Sequence, residues 1–562
     1  MMFRRPLPAS LVALLLALTM CAANLLEPVT ADDVCHHYYA AQVAADPLHP
    51  YEFVAPWHQK PVPAWTIMVA PVHSYYWAPA IAWFGDSVIA WHLWFLPVQW
   101  LFCFGLLHLL RRWLRRGVAP VAVAIALGPA VLPGLNLMLE VPMLSLGLAS
   151  LGLLLRSFDR RAIAPALFAG VLFGLALQTK YSALAFFGPW LLWTGLRGRW
   201  REGLVGLTAA AATALGIEGL LSWSHGGGSF FLQQLSYSQV RDWSHLVKGM
   251  VQNVGLLAAP ATLLALAGFG ARPVVLVGAA ATYVVGLGLV GWFPDDGGRG
   301  LADGAIDSLA YAGMSALTWG VLGWLLLCLV RSGLAGRQGM RCYGSRALRV
   351  FLVAWCLAEI AASFAVSPFP AARRALMVVV ALTVTAGYWC ARRRRAGGAM
   401  RWVAVGAALF GLFVQAVDYV EGHCWVAASH GAVRWAKEQH PGADVYFTGG
   451  WGFEFYAPRA GMKPLLAGEV QLRRGDLVMA GSIDGVEGVW FEPDPRLEQI
   501  AALDYGVDRL PWSTQFAYYS GQRPLVGQAG PRFRVFVLRA NADLHTRELR
   551  VIPDKWKSRG EQ

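Results

Sequence analysis

Apolar runs of about 20 residues, the length a helix needs to cross ~30 Å of hydrocarbon, recur through most of the chain. They lie near 9–29, 89–110, 117–135, 140–155, 162–179, 181–196, 203–221, 250–269, 273–292, 310–330, 349–366, 373–390 and 401–418. The pattern predicts an all-α polytopic membrane protein of about thirteen transmembrane helices over residues 1–418. Past 418 the period changes. Strand-like runs at 443–450 (ADVYFTGG), 476–481 (DLVMAG) and 533–540 (FRVFVLRA) alternate with Gly, Pro and Asp turns and a helix-like HGAVRWAKEQH. Residues 419–562 therefore read as a small α/β domain.

Basic residues test that reading, because Lys and Arg near span ends collect on the cytoplasmic side. Arg4 and Arg5, the segments 111–116, 156–161 and 197–201, Arg331 to Arg349 and Arg392 to Arg395 all fall on one side of the predicted alternation. Its weakest link is GARP between the eighth and ninth runs. The first run resembles a signal peptide in layout, but its length favours a retained helix. On this topology three segments reach the opposite side: a first loop at about 30–88, a second at about 222–249 and the C-terminal domain. The chain is expected in the cytoplasmic membrane, with any site fed by these segments on the extracytoplasmic face.

Composition narrows the class. With 56% hydrophobic and 14% charged residues the chain does not fit a soluble domain. The net charge of +13 is accounted for by basic loops, so no nucleic-acid partner is required. The 25 Trp residues suit membrane interfaces. No C-x-x-C pair marks a zinc site. On the extracytoplasmic side only Cys35 and Cys424 are in place to form a disulfide, and whether they pair stays open.

Candidate chemistry sits just past the first run. Asp32 and Asp33 meet water there, followed by Tyr38 and Tyr39, then Lys60-Pro61, then FGDSVIAWHL leading into the next span. Further on come LEVPML with Glu140, GLALQTKYSAL with Lys180, and SPFPAARRALMVVVALT with Arg373 and Arg374. This order resembles the polyprenyl-phosphate-dependent glycosyltransferases of the C superfold, the group that includes the protein O-mannosyltransferases and the lipid A aminoarabinose transferase. The resemblance implies Asp32 as the catalytic Asp, with Asp33 where Glu is usual, and Lys60 as the residue that meets the carrier phosphate. It also implies a lipid-linked sugar donor, an envelope lipid, glycan or protein as acceptor, and inversion at the anomeric carbon.

The chemistry asks for the same residue types. Sugar transfer from a lipid phosphate needs a carboxylate to take the acceptor's proton and cations to steady the leaving phosphate. Asp32 is the candidate base, and Asp33 a neighbour that either raises its partner's pKa or binds a donor hydroxyl. Lys60, Lys180, Arg373 and Arg374 are candidate phosphate ligands, each with headgroup anchoring as the alternative. Glu140, Tyr38 and Tyr39 are candidate substrate contacts, and Asp295 and Asp296 a candidate acceptor-side lid. His36, His37, His49, His58 and His73 crowd the first loop and leave a divalent metal open, although their spacing matches no ligand pattern. The competing classes are a secondary transporter or lipid flippase, which would place its charges near span centres, and a degenerate relative whose C-terminal domain only scaffolds an assembly.

Overall fold

The computed structural model describes residues 8–552, apart from 58, 67–69, 115, 225–227, 233–241, 293–300, 335–342, 368, 394–395, 484–485, 488, 507–509, 515–522 and 528–530. Asp295, Asp296 and His58 lie outside the described residues.

Among the described residues, eight helices are long and apolar enough to cross a membrane: Val88–Trp113, Glu140–Arg160, Trp200–Ser224, Pro273–Trp292, Ala305–Ser332, Arg346–Ala365, Ala372–Ala391 and Gly397–Gln439. A bent pair, Trp243–Leu257 and Ala259–Phe269, makes up to nine, and Ala9–Asn24 and Ile163–Leu177 are shorter apolar helices. The chain is a mainly helical, multi-pass membrane protein. Two spans lie at its centre. In Glu140–Arg160 and in Ala372–Ala391, 83% of the apolar window is buried, against 22% in Trp200–Ser224. Close packing outside that centre uses small residues: a Cβ on Gly170 would come within 2.0 Å of the Gly206 carbonyl, so Ile163–Leu177 and Trp200–Ser224 meet backbone to backbone.

Local chemistry reshapes several predicted runs. The run at 117–135 is helical only over Val118–Ala126, because Gly128, Pro129 and Pro133 interrupt it and leave a short 3-10 turn at Pro133–Leu135. The run at 181–196 opens as a 3-10 segment, Tyr181–Phe186, before an 11-residue helix, Phe187–Arg197. The run at 250–269 bends by 61° next to Pro260, whose ring nitrogen has no hydrogen to donate. The HGAVRWAKEQH stretch is the end of one 43-residue helix, Gly397–Gln439, that begins with the last predicted span.

The region after the first helix is itself structured. It holds a helix, Asp33–Ala45, an antiparallel hairpin of Val54–Trp57 with Lys60–Pro63, and a helix Pro71–Phe84. After Gln439 the chain forms a six-stranded mixed sheet. Val445–Thr448 runs parallel to both Lys463–Pro464 and Leu477–Ile483, and Phe533–Ala540 pairs antiparallel with Leu477–Ile483 and Leu497–Tyr505. A helix, Trp451–Ala460, packs between this sheet and the helix Asp33–Ala45. The described cysteines are thiols. Cys424 Sγ donates to the Val420 carbonyl 3.2 Å away, so Cys35 and Cys424 are not bridged.

Candidate functional site

The two central spans each open on a charged residue, and those ends meet the turn that carries the acids. Asp32 stands at the N-cap of Asp33–Ala45, and Ala31 before it holds a φ of 39°, a left-handed conformation that costs energy for a residue with a Cβ. The bend aims Asp32 at Arg373: Oδ2 accepts from Nη2 at 2.6 Å. Arg373 lies in the first turn of Ala372–Ala391, where the helix dipole disfavours a cation, so carboxylates must hold it there. Glu140 is the second such carboxylate, with Oε1 3.9 Å from Arg373 Nε, and it also pairs with Lys180 Nζ. Lys180 caps the segment Tyr181–Phe186. The result is an alternating chain of charges, Asp32, Arg373, Glu140, Lys180, drawn from four separate parts of the sequence.

Access distinguishes its members. The Asp32 side chain is 29% exposed, whereas that of Glu140 is 3% exposed. Burial pushes the Asp32 carboxyl up, and the adjacent Arg373 guanidinium outweighs it, so Asp32 lies below the usual aspartate value. Burial pulls the Lys180 ammonium below the usual lysine range in spite of Glu140. His36, whose backbone N–H donates to the Asp32 carbonyl at 3.1 Å, has an imidazole lowered to about 4 by burial.

The other candidate residues fall in different surroundings. Asp33 is 1% exposed and accepts the Thr30 N–H at 3.2 Å, and burial raises its carboxyl well above the usual range. Tyr38 OH donates to Glu454 at 2.9 Å, and Tyr39 OH to the Ala64 carbonyl at 2.5 Å, so both phenols hold the site helix in place. Arg374 stacks on Phe369, 3.9 Å from the ring centre. Lys60 sits on the hairpin opposite Trp57. For a metal, the described residues offer Asp46, His49 and Glu52, whose ligand atoms lie within 4.8 Å of one another at the far end of the site helix.

Sequence reasoning missed a second group of acids. Glu27 accepts from Gln415 at 2.7 Å, Asp418 from Asn136 at 3.4 Å and from Thr514, and Glu421 from Ser513 and the Thr514 N–H at 3.0 and 2.9 Å. Asn136 also reaches Thr30 Oγ1 at 3.3 Å, so this group backs onto the turn that carries Asp32. Burial, reinforced by the Asp418 charge, raises Glu27 well above the usual glutamate value. The signal was available: Asp418 and Glu421 are ionisable residues at the end of an apolar run. Glu218 was missed as well. It accepts from Tyr181 OH at 3.3 Å and from the Phe231 N–H at 2.8 Å, tying the Lys180 segment to the chain beyond Trp200–Ser224.

No protein-family model and no curated protein matches the chain. Solved structures similar to it include the archaeal oligosaccharyltransferase AglB from Archaeoglobus fulgidus, in complex with an inhibitory peptide and a dolichol-phosphate. That similarity has 14% identity, 80% coverage of this chain and a TM-score of 0.40, and the chain spans 59% of AglB's length. ArnT from Cupriavidus metallidurans in the apo state is similar at 14% identity, with 84% of this chain and 92% of that one covered and a TM-score of 0.37.

Proposed function

We propose that the chain is a glycosyltransferase that moves a sugar from a polyprenyl-phosphate carrier to an extracytoplasmic lipid, glycan or protein, with inversion. It would act from the cytoplasmic membrane, on the face opposite the basic loops, with 1–418 as the transmembrane part of about thirteen crossings and 419–562 as the extracytoplasmic α/β domain. The observation that carries this reading is the pairing of a partly exposed, low-pKa Asp32 with Arg373 at the head of a central span.

In this mechanism the carrier phosphate competes with Asp32 for Arg373. Once Arg373 turns to the phosphate, Asp32 is released as a base for the acceptor hydroxyl. The acceptor oxygen forms its bond to the anomeric carbon as the bond from that carbon to the phosphate oxygen breaks. The proton passes to Asp32, and the electron pair leaves on the phosphate. Arg373, Lys180 and Lys60 steady the added charge, and Glu140 holds the first two in register.

A transporter reading would build on Glu359, buried inside Arg346–Ala365 with Trp355 Nε1 2.8 Å from its Oε1. On the glycosyltransferase reading Glu359→Gln leaves sugar transfer intact. The direct test offers a panel of radiolabelled polyprenyl-phosphate sugars to the wild-type chain and to Asp32→Asn at equal abundance. Label that moves with wild type and not with Asp32→Asn supports the reading; equal transfer by both overturns it.

A further inference from the structure

The hairpin that carries Lys60 is held from the far end of the sequence. Gln59, at its tip, is fully buried, and its side-chain amide makes two opposed hydrogen bonds to one residue just past the sheet strand Val445–Thr448. Nε2 donates to the Gly449 carbonyl at 2.7 Å and Oε1 accepts the Gly449 N–H at 2.7 Å. The amide thus takes the place of an antiparallel backbone neighbour. The Gln59 carbonyl accepts a third bond from the Ala467 N–H at 3.0 Å. This grip is kept at a conformational cost, since Gln59 has a φ of 56°, a left-handed value unusual for a residue with a long side chain.

The same part of the sheet also touches the acid-bearing segment. In the helix that follows Gly449, Tyr456 OH accepts the Val29 N–H at 2.8 Å, three residues before Asp32, and Glu454 accepts from Tyr38 on the site helix. Arg459 reaches Asp86 at 3.0 Å. The sheet is therefore fastened beside both the acid turn and the lysine hairpin.

We propose that Gln59 is a positioning residue through which the C-terminal sheet sets Lys60 for the carrier phosphate. The inference rests on the glycosyl-transfer reading, in which Lys60 is a phosphate ligand. A hairpin of two short strands is marginal by itself, and its tip would otherwise wander by more than the reach of an ammonium–phosphate hydrogen bond. The clamp at Gly449 removes that freedom before the lipid arrives.

The test uses the full chain in nanodiscs and undecaprenyl phosphate as the probe, with dissociation constants measured for wild type, Lys60→Ala, Gln59→Ala and the double variant. Gln59→Ala is expected to weaken binding about tenfold, as Lys60→Ala does, and the double variant to bind no more weakly than Lys60→Ala alone. That non-additivity separates positioning from loosened structure, which would add to the Lys60 effect and lower the unfolding temperature of every Gln59 variant. Where Gln59→Ala does not fold, Gln59→Met keeps the side-chain volume, loses both bonds to Gly449, and is expected to show a loss of binding that again vanishes in the Lys60→Ala background. If Lys60→Ala weakens binding and Gln59→Ala does not, or the two effects add, the clamp proposal fails and the glycosyltransferase reading stands. If Lys60→Ala binds like wild type, Lys60 is no phosphate ligand and the clamp proposal falls with it, while the fate of Asp32→Asn still decides the wider reading.

Discussion

Asp32 and Asp33 are neighbours in sequence and belong to two opposite kinds of charge cluster. Asp32 joins Arg373, Glu140 and Lys180, where acids and bases alternate and one carboxylate is open to an incoming molecule. Asp33 backs onto Glu27 and Asp418, acids held mainly by amide, hydroxyl and backbone N–H donors and closed to solvent. A balanced cluster keeps its charges and can exchange a partner for a substrate. A cluster of buried acids held mainly by amide, hydroxyl and backbone N–H donors is hydrogen-bonded structure, in which burial favours the uncharged forms. Chemistry is thus expected from the first group and fixation of the turn from the second.

That contrast can be broken most forcefully at Asp32. Asp32→Asn should lower transfer by about 10²–10⁴-fold, the usual contribution of a positioned base, in protein that unfolds at the wild-type temperature. Lys180→Met should cost about 3 kcal/mol of stability in thermal or denaturant unfolding, because Glu140 is left buried with a single cation at longer range.

The pH profile of transfer gives a more graded comparison. Arg373 holds Asp32 low in the free chain, so it stays ionised as the medium is acidified, and the acid limb of kcat/KM should lie below the usual aspartate range. Lys180 is also held low, so its ammonium is lost early as pH rises, and the alkaline limb should fall below about pH 10. Lys180→Arg should move that alkaline limb upward. The smallest effects belong to the second cluster. Thr514→Val should cost about 1–3 kcal/mol through the hydroxyl bonds lost to Asp418 and Glu421, while the backbone N–H bond to Glu421 is kept. Asp33→Asn should change transfer by less than about threefold, since burial already disfavours the Asp33 charge and an amide oxygen still accepts the Thr30 N–H.

Much of the first cluster was legible in the sequence. Arg373 stood out as a cation at the wrong end of a span, and Asp32, Glu140 and Lys180 each interrupt an apolar pattern where charge is costly. The division between Asp32 and Asp33 was not legible, because it depends on a left-handed Ala31 that carries no glycine signature. Gln59 was invisible for another reason. A polar residue beside a lysine has no local signal, and its partner Gly449 lies 390 positions away. The run at 117–135 misled because hydropathy counts apolar residues without weighing the Gly and Pro that stop a helix.

The helix Gly397–Gln439 carries a consequence for how the molecule is assembled. At 1.5 Å per residue its 43 residues extend about 65 Å, roughly twice the thickness of the hydrocarbon it crosses. The sheet at its end is joined by a rigid pillar with no hinge at the membrane surface, so its height and its heading are both set by residue count. Each residue added to that pillar advances the sheet ~1.5 Å and turns it about 100°. The transmembrane half and the sheet are therefore indexed to one another, and a residue inserted in the pillar would draw the sheet away from the acid turn and the lysine hairpin it is fastened to.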